Sequence, residues 1–310
     1  MDELTQNLLF HDHECSYYDE RFGITYDRAG VAQALRELRH AAGVPLARVR
    51  RAVDIGCGTG YLGIAVAASE LAEEVFACDL SAGMLGRCGA NATRLSTHVT
   101  RVQSEVEHLP FADKSIDLVV GRGIIHHVPD PVAGLAEVRR ILVPGGLAVF
   151  TSEPTAMAER TGGIPVQIAW RTIESVRKAL GRDAGREEHK YWELAAMAAN
   201  LHTFEPGQVE EMGRRAGLVP VRVGTGGFFS TMSAAAGYFL TGEFPRLGSS
   251  GAWRSVLAAS WRAFSAIDRA VCDQVVPAHL LHTVQASFRA PVSRRVSAAR
   301  ANPRRKGELT

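Results

Sequence analysis

Along this chain, short apolar runs alternate with longer amphipathic segments. Runs rich in Val, Ile, Leu, Ala and Cys occur at Arg51–Ile55, Val75–Cys78, Val99–Gln103, Ile116–Val120, Leu147–Ser152 and Leu218–Val223, and predict buried strands. Between or before them, Val31–Ala42, Tyr61–Glu73 and Asp130–Leu142 place apolar residues at helical spacing. Asp130 stands at an N-cap position, Arg139 and Arg140 near the helix C-terminus, and Pro144-Gly145-Gly146 is expected to end that helix. Strand, helix, strand in repetition means right-handed crossovers and a parallel sheet whose strand ends share one edge. Asp54, Asp79 and Glu105 are therefore expected to face one crevice.

Two long segments interrupt this rhythm. Glu153 to about Leu201 reads as a helical insert, with helices at Val166–Leu180 and Tyr191–Ala199, before Phe204-Glu205-Pro206 opens a helix ending near Ala216. Gly226 to Pro277 reads as a second insert, apolar at Phe228-Phe229 and Tyr238-Phe239-Leu240 and helical from Trp253 to Val275. Inserts at the carboxyl edge of such a sheet are where specificity resides, so both are expected to form a cap and act as lids, with a structural flap as the alternative. His282–Arg289 then alternates, with Val284, Ala286 and Phe288 on one face. Residues 292–310 carry Arg294, Arg295, Arg300, Arg304, Arg305 and Lys306 against Glu308, and read as a disordered basic tail.

Composition changes this picture little. With 310 residues, 46% hydrophobic, 22% charged and a formal charge of +2, the chain is ordinary for a globular protein and has no global pull towards nucleic acid or membrane. The N-terminus lacks the basic and apolar segments of a signal peptide, and no apolar run is long enough to span a bilayer, so a cytoplasmic protein is expected. Five cysteines without a Cys-x-x-Cys pair argue against a disulfide framework or a zinc site.

The chemistry enters at Val53-Asp54-Ile55-Gly56-Cys57-Gly58-Thr59-Gly60, where an apolar strand ends in glycines two residues apart. Such a loop lets backbone N–H groups approach a ligand closely at the N-terminus of the next helix, which suits a nucleotide-like cofactor. Gly58-Thr59-Gly60-Tyr61-Leu62-Gly63 also satisfies the dinucleotide fingerprint, with Asp79 at a distance suited to a ribose hydroxyl, so a nicotinamide-dependent oxidoreductase is one reading. Asp54 speaks against it, because an acid just before the glycines would crowd a pyrophosphate but suits a ligand with a positive charge.

These residues resemble motif I of the class I S-adenosylmethionine-dependent methyltransferases. The resemblance continues through Val75-Phe76-Ala77-Cys78-Asp79-Leu80-Ser81, Leu109-Pro110-Phe111 with Ser115–Val120, His126-His127-Val128-Pro129-Asp130 and Leu142-Val143-Pro144-Gly145-Gly146. It covers roughly residues 50–153 and is closest to the quinone and small-molecule methyltransferases. It implies a Rossmann-like, seven-stranded, mostly parallel α/β sheet with helices on both faces and an antiparallel last strand. The chain then divides into cofactor-covering helices at 1–50, a methyltransferase domain at 51–291 with cap insertions at about 153–201 and 226–277, and the tail at 292–310.

The resemblance further implies S-adenosylmethionine as cofactor, with Asp54, Gly56, Gly58 and Gly60 around it and Asp79 on its ribose. Leu80, Met84, Glu105 and Val106 would lie about the adenine, and Glu105 stands where the family usually has Asp. Tyr18 would fold over the cofactor or pack on the sheet. Arg122 would bind cofactor, anchor an acidic acceptor or pair with a carboxylate. His127, matching the histidine of the family's His-His-Val motif, is expected as a general base with His126 positioning it, against the alternative that both only hold the loop. The expected reaction moves a methyl group to a hydroxyl or activated carbon of a small-molecule acceptor; a binding protein that keeps the cofactor without methylating is the other alternative. Nucleic-acid amino methylation is not expected, since no Asn-Pro-Pro-Tyr type sequence occurs.

Overall fold

A computed structural model describes residues 3–163, 202–243 and 250–292, together with Arg171, Thr172, Ser175 and Ala179. The helices expected at Val166–Leu180 and Tyr191–Ala199 lie outside or almost wholly outside the described residues, as does the tail beyond residue 292. The strands are β1 (Val49–Ile55), β2 (Ala72–Asp79), β3 (Thr100–Gln103), β4 (Ile116–Arg122), β5 (Leu142–Pro154), β6 (Val219–Gly226) and β7 (Thr283–Arg289). They form a seven-stranded sheet in the order β3-β2-β1-β4-β5-β7-β6. β1 pairs in parallel with both β2 and β4, while β7 runs antiparallel between β5 and β6. Strand order thus reverses between β1 and β4, and a crevice opens there at the strand C-termini.

Alternation along the strands feeds two cores. Ala52, Leu118, Val120, Leu147 and Val149 face one side with Leu38, Leu62 and Ile64, whereas Val53, Val119, Ala148 and Phe150 face the other with Leu135, Ile141 and Val209. On β7, Val284, Ala286 and Phe288 lie in the second core as expected, and the opposite face is also covered: Ser287 is buried and its Oγ donates to Ala42 O at 2.8 Å.

The helices are α1 (Glu3–Glu14), α2 (Tyr18–Phe22), α3 (Arg28–Ala42), α4 (Tyr61–Ala68), α5 (Ala82–Arg94), α6 (Pro131–Ile141), α7 (Pro206–Arg215), α8 (Phe229–Glu243) and α9 (Gly251–Ile267). Asp27, Ser81 and Asp130 cap α3, α5 and α6 by accepting backbone N–H groups, which satisfies donors a helix start leaves unpaired.

Two boundaries differ from expectation. α4 stops at Ala68 rather than Glu73, since Glu70 takes φ +55° and Ala72 already pairs with Val49 in the sheet. β5 begins at Leu142, so Pro144-Gly145-Gly146 interrupts a strand instead of terminating a helix. Gly145 there takes φ +82° and donates to Ala290 O at 3.0 Å. α8 and α9 pack together, tied by buried Asp268, whose carboxylate accepts the N–H groups of Phe228, Phe229 and Ser230. They rest on α2 where Gly23 meets Leu257 and Ala258.

Candidate active site

At the carboxyl edge, between the ends of β1, β2 and β4, lies a cavity of about 830 Å³ counting its open mouth. Its floor is the glycine loop. Gly56 (φ +57°) and Gly58 (φ +52°) both line it, and a Cβ at Gly58 would meet nothing within 4 Å, so a ligand can approach the main chain there. Gly60 does not line the cavity. It takes φ +98° to enter α4, and a Cβ would lie 2.6 Å from Ile64 Cδ1 and 2.7 Å from Cys88 Sγ.

Asp79, at the end of β2, faces the cavity. Its Oδ2 accepts Gly58 N–H at 2.8 Å and its Oδ1 accepts Ser81 N–H at 2.9 Å, which leaves each oxygen a lone pair for a ligand hydroxyl. Burial raises its pKa, and the two N–H groups offset part of that. Leu80, Met84, Glu105 and Val106 line the same cavity.

Asp54 corrects an expectation. It is 1% exposed and absent from the cavity wall; its Oδ2 accepts Gly63 N–H at 2.7 Å, tying the first turn of α4 to β1. A Cβ on Gly63 would stand 2.9 Å from that carboxylate, so the third glycine of the fingerprint serves this contact. Burial pushes the Asp54 pKa up to about 7 against the Gly63 hydrogen bond. Of the three acids expected in the crevice, Asp79 and Glu105 reach it and Asp54 does not.

Arg122 lines the cavity with its Nε donating to Glu37 at 3.2 Å and its guanidinium 5.0 Å from the Tyr61 ring and 5.5 Å from the Trp261 ring. Glu37 comes from α3 and also accepts the hydroxyls of Thr151 at 2.7 Å and Ser152 at 3.1 Å. Among the described residues, Trp261 of α9 approaches the site through Arg122, and none of the 226–277 insert lines the cavity itself. The roof is instead α1, with Leu4, Asn7, Leu8 and His11, followed by Tyr18 of α2. Asp12 docks this roof on the start of α5: its Oδ1 accepts from the Ser81 hydroxyl and from Gly83 N–H. α3 packs against the sheet, so residues 1–50 cover the cavity only in part.

The two histidines after β4 separate in kind. His126 turns inward and its Nδ1 lies 2.9 Å from Glu153 Oε2. Buried Glu153 also accepts the N–H groups of Ile124, Ile125 and His126, fixing the whole turn. His127 lines the cavity, and its buried Nδ1 has no hydrogen-bond partner. Burial first, then His126 and His11, hold its pKa well below the ordinary imidazole value, so the ring is neutral. Asn7 is 4% exposed, and neither of its amide atoms is paired. A buried polar atom left so costs about 1–3 kcal/mol, which a ligand in this cavity would recover. Asn7, His11, Glu37 and Glu153 were not foreseen; for the first two, the polar spacing Asn7, His11, Glu14 along one face of α1 was the available signal.

A family described as a methyltransferase domain matches residues 53–150. Malonyl-[acyl-carrier protein] O-methyltransferase from Dechloromonas aromatica (strain RCB) is 29% identical over 204 residues, covering 66% of this chain and 65% of that protein. Demethylmenaquinone methyltransferase from Staphylococcus aureus (strain JH9) is 34% identical over 179 residues, covering 56% of this chain and 69% of that protein. Among solved structures, Haemonchus contortus phosphoethanolamine N-methyltransferase 2, in complex with phosphomonomethylethanolamine and S-adenosylhomocysteine, aligns with a TM-score of 0.54 at 17% identity over 90% of this chain and 57% of that one. The [4+2]-cyclase SpnF shares the fold with a TM-score of 0.50 at 18% identity, over 84% of this chain and 80% of that one.

The chain belongs to the class I S-adenosylmethionine-dependent methyltransferases. It is an S-adenosylmethionine-dependent enzyme, and nothing favours the nicotinamide reading of its glycine loop. Among the described residues, no helix is long and apolar enough to cross a membrane.

Proposed function

We propose that this methyltransferase acts on a small, largely apolar acceptor, of quinone, lipid-like or secondary-metabolite type, at an ionisable hydroxyl or an activated carbon. The observation that carries the reading is the cavity wall, which Leu4, Leu8, Ile124, Val128 and Pro129 share with His127, whose buried Nδ1 is unpaired. The names of the demethylmenaquinone and malonyl-[acyl-carrier protein] relatives support it.

Bound S-adenosylmethionine supplies an electrophilic sulfonium methyl group. Asp79 would hold its ribose through the lone pairs that Gly58 and Ser81 leave free, with Leu80, Met84 and Val106 along the adenine and Glu105 at its amino group. Gly56 and Gly58 would admit the methionine portion, with Tyr18 and Arg122 beside it. Asp54 and Gly60 support the loop from behind. His127 would hydrogen-bond the acceptor, and His126 with Glu153 would hold the turn that carries it. The N-terminal helices and the methyltransferase domain at 51–291 then work as one unit, with α1 as roof.

The test is incubation of the purified protein with methyl-labelled S-adenosylmethionine and a panel of reduced quinones, phenols and malonyl thioesters. The expected outcome is a labelled product in which one methyl replaces one hydrogen. Tight cofactor binding with no transfer to any panel member would favour the non-methylating reading.

A further inference from the structure

We propose that His11, oriented by Glu14, is the general base that takes the acceptor's proton, and that the neutral His127 beside it hydrogen-bonds the acceptor. The proposal rests on the methyltransferase reading of the cavity.

His11 sits on the inward face of α1 and lines the cavity. Its Nδ1 lies 3.0 Å from Glu14 Oε1, and Glu14 is 2% exposed. A carboxylate so placed fixes the tautomer with hydrogen on Nδ1 and leaves the Nε2 lone pair free to accept a proton. No hydrogen bond occupies that Nε2 among the described residues. The His11 ring meets the His127 ring edge-on, with centroids 5.1 Å apart, so the two imidazoles flank one corner of the cavity.

Two imidazole–carboxylate pairs therefore bracket His127: Glu14 with His11 on one side, Glu153 with His126 on the other. The second pair is turned into the protein and is engaged in holding the turn after β4. The first pair faces the ligand space. Unpaired buried atoms gather around it: both amide atoms of Asn7, the Nδ1 of His127 and Oε2 of Glu14. An inward helix face bearing Asn7, His11 and Glu14 is poorly suited to packing alone, whereas it suits a polar ligand group.

The groups facing His11 set where the proton rests. Burial lowers its pKa, but Glu14 on its own helix, Asp79 from β2 and Asp12 on α1 together outweigh this and raise it; His127 faces it from the turn after β4. His127 shifts the opposite way, with no carboxylate partner. A proton released between the two rings is held by His11. For a hydroxyl acceptor, the O–H bond breaks towards Nε2 of His11, the oxygen pair forms the bond to the methyl carbon, and the C–S bond electrons remain on sulfur. The imidazolium returns its proton to water at the open mouth of the cavity.

The first arm of the test needs no turnover. Long-range ¹H–¹⁵N spectra of ¹⁵N-histidine protein with S-adenosylhomocysteine should show His11 as the Nδ1–H tautomer, with a pKa above the ordinary imidazole value that falls in Glu14→Gln. An Nε2–H tautomer, or a pKa indifferent to Glu14→Gln, would overturn the proposal. The second arm uses the acceptor that the labelled-methyl panel yields. His11→Ala should lower kcat on the order of 100-fold or more, keep S-adenosylmethionine affinity within a few-fold, and lose the acid limb of the pH–rate profile. That limb should move to lower pH in Glu14→Gln and persist in His127→Ala. Loss of cofactor affinity alone in His11→Ala would place His11 on the cofactor instead. Absence of any transfer by the wild type would count against the methyltransferase reading, with the tautomer arm still deciding the orientation of His11.

Discussion

At the scale of single residues, two aspartates that look alike in the sequence do different work. Asp79 keeps lone pairs facing the cavity, and a hydrogen bond to a carboxylate contributes about 1.5–3 kcal/mol. Asp79→Ala should therefore weaken S-adenosylmethionine binding by one to a few powers of ten, on the order expected for one or two such bonds, with a native circular dichroism spectrum; unchanged affinity by calorimetry would exclude the ribose contact. Asp54 stays protonated up to about pH 7 in the folded protein, whereas an unfolded aspartate ionises near pH 4. The native state then holds more protons in this window, so Asp54 makes stability fall as pH rises from about 4 to 7. Asp54→Asn keeps an acceptor for Gly63 N–H and should flatten that part of the melting profile; parallel profiles for both proteins would contradict the assignment. Sequence spacing placed Asp79 at the crevice because it ends a strand before a capped helix. It misread Asp54, since strand alternation alone does not say that the Gly63 amide lies 2.7 Å from its carboxylate.

At the scale of elements, strands were legible wherever Val, Ile and Leu clustered, because a parallel strand buried on both faces needs nothing else. Boundaries were lost where backbone geometry overrode pattern. Gly145 interrupts β5 with positive φ yet lets the strand continue, and Glu70 turns the chain into β2 earlier than helical spacing suggests. An N-terminal cover was expected from residues 1–50, but α1 itself and its inward residues were not legible, since that face carries Asn7, His11 and Glu14 in place of an apolar stripe. The turn after β4 depends on Glu153, which accepts three successive N–H groups and faces the His126 ring. Glu153→Ala should cost several kcal/mol in urea denaturation, at roughly 1–3 kcal/mol per donor left unsatisfied, and Glu153→Gln distinctly less. Equal small losses in the two variants would show that water replaces the carboxylate. Asp12→Ala should leave the sheet intact and speed amide exchange selectively across α1, read by mass spectrometry.

At the scale of the whole molecule, the sheet is a floor with two cores beneath and above it, while among the described residues the ligand space is roofed by α1 and Tyr18 of α2. Cofactor binding should stabilise the fold by mass action, about 2.7 kcal/mol at a concentration 100 times Kd, and NAD at the same concentration should give no thermal shift. An equal shift from NAD would reopen the nicotinamide reading of the glycine loop. The docking of Asp12 on Ser81 and Gly83 has a kinetic corollary. We expect a spent cofactor beneath α1 to leave by a swing of that twelve-residue helix, which breaks the Asp12 contacts and carries the helix through water. Turnover paced by that swing would slow in proportion to the thickness of the medium, so sucrose added to the assay should depress kcat while leaving the isotope effect of a labelled methyl group nearly silent.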